Sequence, residues 1–284
     1  MRTWYNKFFN LEKDPFGETP DPEFFCAISQ HSRALQELTA AIHQGRGFSL
    51  LTGEVGTGKT LLARMLLSAI GNSANTALIL FPRFSDQELL EAICEEFEVP
   101  LRGESPSSTK GWVDHLNAFL LQSEASGRRS ILVIDEAQAL SPGSLEMIRL
   151  LTNLETRNRK LLQIVLVGQP ELCTLLDRSE LRQLKQRVAA HANLCPLDAG
   201  ETGKYVRSRI ERAVHGNFIK FEDSSIRVIH QLSNGMPRRI NQICGRIITY
   251  AAETRARRVD GNLAKEALGI RSRGLLAWFQ RSGA

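Results

Sequence analysis

Leu50-Leu-Thr-Gly53-Glu-Val-Gly-Thr-Gly-Lys59-Thr60-Leu-Leu62 is the stretch of sequence that decides the fold. The octet from Gly53 to Thr60 fits G-x-x-x-x-G-K-[ST] at each position, between an apolar run ending at Leu51 and a helical pattern over 61–70. Glycines in such a loop let backbone N–H groups turn inward around an anion, and the helix N-terminus adds partial positive charge. Lys59 is placed to reach the outer phosphates of a nucleotide, and the Thr60 hydroxyl to bind Mg²⁺. The candidate contacts are therefore Gly53, Glu54, Val55, Gly56, Thr57, Gly58, Lys59, Thr60 and Leu61.

Working outward, short apolar runs alternate with helical patterns. The runs lie at 48–51, 77–81, 131–134 and 164–167, with a weaker fifth around 189–195. Between them, Leu89, Leu90, Ile93 and Phe97 share one helical face, and Val113, Leu116, Phe119 and Leu120 share another. Continuous rather than alternating apolar runs, separated by helices, predict a parallel sheet covered on both faces. The run 131–134 delivers Asp135 and Glu136 to the C-terminal end of a strand, where parallel sheets bind ligands. Asp135 is expected to hold the Mg²⁺ water shell, and Glu136 to orient and polarise the attacking water. The next strand ends in Gly168-Gln169, which places Gln169 near a γ-phosphate or the lytic water. Arg182 and Arg187, just before the fifth run, can reach a neighbouring subunit's γ-phosphate.

The sequence has 284 residues, 42% apolar and 24% charged, which excludes disorder and predicts one large domain or two modest ones. No apolar run approaches the ~18 residues of a membrane span, and Met1–Lys7 lacks the apolar stretch of a secretory signal. Five cysteines form no C-x-x-C pair, which argues against a zinc ribbon or disulfide framework and suits a reducing cytosol. Cys94 and Cys244 sit at apolar helical spacing and read as core. Prolines at 15, 20 and 22 predict an extended first thirty residues, whose phenylalanines must lie against something.

After residue 197 the strand pattern stops, and three helical patterns follow, carried by Tyr205, Val206, Ile210 and Val214, by Ile226, Ile229 and Leu232, and by Ile240, Ile243, Ile247 and Ala251. The expected organisation is an N-terminal segment 1–31, a nucleotide-binding domain 32–197, a helical lid 198–270 and a basic, aromatic tail 271–284. The net charge of +5 is uneven: residues 198–284 carry 16 Lys and Arg against 8 Asp and Glu, a net +8, leaving −3 for the rest. In Gly235-Met-Pro-Arg238, Pro begins the last lid helix and sets Arg238 in its first turn. Cations are disfavoured there, which points Arg238 toward an anion such as nucleotide phosphate.

These residues together resemble the AAA+ ATPases of the general secretion pathway protein A type, a group that includes the ATPase of mannose-sensitive haemagglutinin pilus biogenesis. The resemblance covers about 5–270. It rests on Asp14-Pro-Phe16, Thr19-Pro-Asp-Pro22, the phosphate loop, Ile134-Asp-Glu-Ala-Gln138, Leu151-Thr-Asn-Leu-Glu-Thr156, 162–172, Leu181-Arg-Gln-Leu184 and Gly235-Met-Pro-Arg238. It implies an α/β P-loop NTPase fold with a parallel five-stranded sheet of order 5-1-4-3-2 and a helical lid. It also implies ATP and Mg²⁺ held between subunits of a homo-oligomer, expected to be a ring. By position, Lys59 and Thr60 belong to Walker A and Asp135 and Glu136 to Walker B. Gln169 takes the first sensor position, Arg238 the second, and Arg187 the finger with Arg182 in reserve. The N-terminal aromatic–proline segment, with Phe16 and Pro20, is expected near the adenine. Longer members continue into a membrane segment and a wall-binding region, so a sequence ending at Ala284 is expected to be a short cytoplasmic member, peripheral to the inner membrane.

Three functions follow as expectations. The first is an oligomeric ATPase that drives or regulates assembly of a secretion or pilus machine, with the machine's proteins as partners. The second is an ATP-dependent regulator on duplex DNA, resembling transposon target-selection ATPases, with Arg255, Arg257, Arg258, Arg271 and Arg273 on phosphates. The third is a nucleotide-gated adaptor whose tail, with Leu275, Leu276, Trp278 and Phe279, meets a membrane surface or partner groove.

Overall fold

The computed structural model describes residues 4–100, 105–213 and 219–270, apart from the side chain of Asn72. The expectations placed on Val214 and on the tail 271–284, with Arg271 and Arg273, lie outside the described residues. Contacts divide the chain into two compact units, one of 29–55 and 59–194, the other of 1–28, 56–58 and 195–284.

The α/β unit carries five parallel strands, β1 (Phe48–Gly53), β2 (Ala74–Ile79), β3 (Arg129–Ile134), β4 (Leu162–Gly168) and β5 (Ala190–Leu194). Their order is β2-β3-β4-β1-β5, the same as the 5-1-4-3-2 order implied by the resemblance. Every residue of β1 and β4 is buried, which explains why both read as continuous apolar runs. β2 differs from its expected bounds. It starts three residues earlier and stops at Ile79, leaving Phe81 76% exposed. Pro82 follows close behind and lacks the N–H that a longer ladder would use.

Helices cover the sheet. Ser29–His43, Lys59–Ile70, Asp86–Glu96, Thr109–Ala125 and Pro142–Leu151 are the long ones of this unit. Asp86–Glu96 begins with a capping box in which Ser85 and Glu88 satisfy each other's backbone N–H groups. Pro142–Leu151 begins with a Ser141 cap and Pro at its first position. Leu89, Leu90, Ile93, Leu116 and Leu120 join Leu132, Ile134, Ile164 and Leu166 in one buried cluster, as the helical spacing predicts. The fifth strand runs directly into the other unit at Cys195.

That second unit is built on Ala199–Ala213, Asp223–Ser233, Pro237–Glu253 and Gly261–Ala267. A two-residue parallel pair, Lys220–Phe221 with Arg258–Val259, is added to the helices and is too short to leave a pattern in the sequence. Asp223–Ser233 ends on Asn234 and Gly235, both left-handed, with φ of 50° and 71°. Glycine is required at 235 on a second ground, because a Cβ there would lie 2.0 Å from the Leu197 carbonyl oxygen.

The N-terminal segment is not wholly extended. Trp4–Phe8 forms a helix and Pro22–Phe24 a 3₁₀ turn capped by Asp21. No proline precedes residue 15, so nothing opposes helix at 4–8, and burying Tyr5 and Phe9 on one face favours it. Its aromatic residues do lie against something: Phe9, Phe16 and Phe24 are buried among Val206, Ile240, Ile243 and Ile247 of the helical unit. Arg209 clamps the segment. It is 5% exposed, donates through Nε to the Pro15 carbonyl and through Nη1 to the Tyr205 hydroxyl at 3.0 Å, and lies over the Phe24 ring at 4.8 Å. Among the described residues no helix is long and apolar enough to cross a membrane.

Candidate functional site

Three neighbouring strands position the site. β1 runs into the glycine-rich loop, β3 into Asp135-Glu136 and β4 into Gln169, and the registers Leu51↔Val167 and Ile134↔Leu166 align their ends. Gly56 and Gly58 take φ of 83° and 100°, conformations that side chains with a Cβ rarely adopt.

Lys59 is 6% exposed, and its ammonium donates to the carbonyls of Gly53 at 2.8 Å and Glu54 at 3.1 Å. Burial lowers its pKa from the ordinary lysine value, while Glu136 and Asp135 work in the opposite direction. A buried cation whose hydrogen bonds go to neutral loop carbonyls is suited to receive an anion. Asp135 is 2% exposed and accepts from the Thr60 hydroxyl at 2.5 Å and from the Glu136 N–H at 2.8 Å. Burial raises its pKa, opposed chiefly by those two hydrogen bonds. A hydroxyl and a buried carboxylate oxygen in contact form an oxygen donor set of the kind that suits Mg²⁺.

Glu136 is half-buried and stands in the left-handed region at φ 51°, ψ 34°, an uncommon conformation for a residue with a side chain. That backbone turn separates the directions of two adjacent carboxylates. Asp135 goes to Thr60, and Glu136 goes to a pair of glutamines. Gln138 Nε2 donates to Glu136 Oε2 at 2.5 Å, and Gln169 Nε2 lies 3.4 Å from the same oxygen. Gln138 Oε1 in turn accepts from the Gln169 N–H at 3.0 Å. Gly168 makes this possible, because a Cβ there would come within 2.8 Å of Gln138 Oε1.

Thus Lys59, Thr60, Asp135, Glu136 and Gln169 come together, and Gln138 joins them although sequence reasoning gave it no role. Its only signal was its place in Ile134-Asp-Glu-Ala-Gln138. Arg187 and Arg182 do not join this set. Arg187 is tied down within its own chain, with Nη1 donating to the Thr152 hydroxyl and, at 3.5 Å, to the Arg149 carbonyl. Arg182 is exposed. Arg238 begins its helix as expected, after Pro237 at the first position. Its N–H donates to the Gly56 carbonyl at 3.2 Å, and its exposed guanidinium lies 3.9 Å from Glu18. Of the arginines proposed for nucleic-acid phosphates, Arg258 pairs with Glu222 at 3.1 Å and Arg257 lies over the Phe8 ring at 5.6 Å. Cys94 and Cys244 are buried, and burial pushes both thiols up, Cys94 to about 12.

Comparison with known proteins agrees with this geometry. A family model described as an AAA domain matches residues 42–176. General secretion pathway protein A of Aeromonas hydrophila is 42% identical over 274 residues, which is 95% of this chain and 50% of that protein. The chain therefore spans about half the length of this relative. Among solved structures, Cdc6p of Pyrobaculum aerophilum superposes with a TM-score of 0.66 at 16% identity, over 93% of this chain and 70% of that one. The ORC2 protein of Aeropyrum pernix, solved as ADPNP–ADP complexes, gives 0.65 at 16%, over 84% and 66%. The RuvB Holliday junction branch migration motor of Thermotoga maritima gives 0.55 at 19%, over 84% and 68%. At these identities the structural likenesses establish the fold.

Proposed function

Since the chain belongs to the AAA+ family, in the type of general secretion pathway protein A, we propose that it is an ATPase that binds and hydrolyses ATP between subunits of a homo-oligomer. The observation that carries this is the sorting of two adjacent carboxylates, Asp135 onto Thr60 and Glu136 onto the glutamine pair, beside a buried lysine.

Lys59 and the loop N–H groups bind the β- and γ-phosphates. Bound Mg²⁺ supplies charge neutralisation on the phosphate oxygens, and Thr60 and Asp135 are the residues that would hold it. Glu136 orients the attacking water and accepts its proton. Gln169 aligns that water or the γ-phosphate, and Arg238 contacts phosphate as the second sensor. A cation from the neighbouring subunit, Arg187 or Arg182, meets the γ-phosphate charge as it develops. The likeness to general secretion pathway protein A supports a role in assembling a secretion or pilus machine, with the chain peripheral to the inner membrane.

The test is hydrolysis together with mass. Purified chain should release phosphate from ATP, and its mass by light scattering should rise when ATP and Mg²⁺ are added to Glu136→Gln protein. A monomer in every nucleotide state removes the shared site. A second reading, a regulator on duplex DNA, draws support from an Aeropyrum pernix ORC1 structure in complex with DNA and from the net +8 of 198–284. Duplex titration at two salt concentrations tests it, and the absence of ATP-dependent, salt-sensitive binding ends it.

A further inference from the structure

The opposite end of the sheet holds a polar cavity of about 570 Å³, inside the range of small-ligand sites, about 300–1,000 Å³. It opens where β3 and β4 begin, about 20 Å from the nucleotide end at the ~3.3 Å rise of each strand residue. Its walls are the ends of Ser29–His43 and Thr109–Ala125 and a tight antiparallel turn bridged at Glu155↔Lys160. Five cations line it: Arg128, Arg129, Arg157, Arg159 and Lys160. Two carboxylates also line it, and both are taken, Glu124 by Arg159 at 3.7 Å and Glu155 by Lys160.

Arg128, Arg129 and Arg157 thus face the cavity with no carboxylate partner among the described residues. Arg128 and Arg129 are held instead against the carbonyls of Ala74 at 3.4 Å and His43 at 3.3 Å. A second observation points the same way. Ser130 lines this cavity at 1% exposure, and its hydroxyl has no hydrogen-bond partner. Buried hydroxyls are nearly always paired, because an unmade bond costs the full desolvation of the group. Guanidiniums without a carboxylate, lining one cavity with an unpaired hydroxyl, lack one component, an anion with several acceptor oxygens.

We propose that this cavity is a binding site for a phosphate ester, entered from the end of the sheet opposite the nucleotide loop. Its concavity favours a compact phosphate, free or as a lipid headgroup, over a duplex backbone running across a face. Among the described residues Leu161 is its one large apolar lining residue and no Phe, Tyr or Trp lines it, so the ligand is held by charge and hydrogen bonds.

The experiment uses the whole chain with Lys59→Ala, so that the glycine-rich loop does not compete, and inorganic pyrophosphate as probe by calorimetry. Binding at one site is expected. Adding Arg128→Ala and Arg157→Ala should weaken it by about a hundredfold, tenfold for each guanidinium removed. Ser130→Ala should weaken binding while leaving the unliganded melting temperature unchanged or higher, a combination that a purely structural serine does not produce. Co-sedimentation with phosphatidylglycerol vesicles, lost in the arginine variants and absent for phosphatidylcholine, identifies a headgroup as the source. Pyrophosphate binding without vesicle binding identifies a soluble phosphate ester. No pyrophosphate binding, or binding indifferent to Arg128 and Arg157, overturns the site. So does loss of duplex binding alone in the arginine variants.

Discussion

Replacing Gln138 by glutamate tests the site through one atom. The acceptor for the Gln169 N–H is kept, while the donor that meets Glu136 Oε2 at 2.5 Å becomes a carboxylate oxygen. Two like charges at that distance repel by about 7 kcal/mol at an effective dielectric constant of ~20. Measured carboxylate dyads separate their two protonation steps by roughly 3 units, or about 4 kcal/mol. The pair is therefore expected to keep one shared proton to higher pH than a lone carboxyl would, and to release it as pH rises. A general base that shares a proton cannot take one from water. Steady-state ATP hydrolysis by Gln138→Glu should therefore fall at least about tenfold at pH 6 and recover toward the parent rate at pH 9. Nucleotide affinity, read with a fluorescent ADP analogue, should stay within about twofold, because Lys59 and Thr60 are untouched. A pH profile that superposes on the parent's would refute the Glu136–Gln138 contact as part of the catalytic arrangement.

Asp135→Asn should raise the melting temperature of nucleotide-free protein at neutral pH while abolishing hydrolysis. The carboxyl's folded pKa is raised by burial, so its ionised form opposes folding, and the advantage of Asn should shrink as pH falls through that raised pKa toward the ordinary Asp value and be gone below it. Arg187→Ala should cost about 1 kcal/mol of stability through loss of its bond to Thr152. Mixing Arg187→Ala or Arg182→Ala protein with Glu136→Gln protein identifies the finger, and restored activity in neither mixture excludes both arginines. Arg209→Met should destabilise the helical unit by roughly 2–4 kcal/mol and open residues 10–25 to limited proteolysis, since the Pro15 and Tyr205 oxygens lose their buried donor. Unchanged protease resistance would mean that the aromatic packing alone secures the segment.

The sheet was legible because the burial of β1, β3 and β4 is written as apolar runs, and because the loop and its two carboxylates are contiguous motifs. What was hidden depends on side chains meeting across elements. Gln138 acquires its place only when the ends of β3 and β4 align and Gly168 leaves room. Arg187 reads as free from sequence, yet the end of the helix Pro142–Leu151 captures it. The extent of β2 was misjudged because Phe81 reads as one more apolar residue, whereas the ladder stops at Ile79. The cationic cavity draws on three separated stretches, at 43–45, 124–130 and 155–163, and none of them is a charge run by itself.

The central claim is tested most directly by separating binding from turnover. Glu136→Gln should bind ATP as tightly as the parent and hydrolyse it at least about 100-fold more slowly, while Lys59→Met should not bind it at all. Hydrolysis at the parent rate by either variant would contradict the assignment of the site.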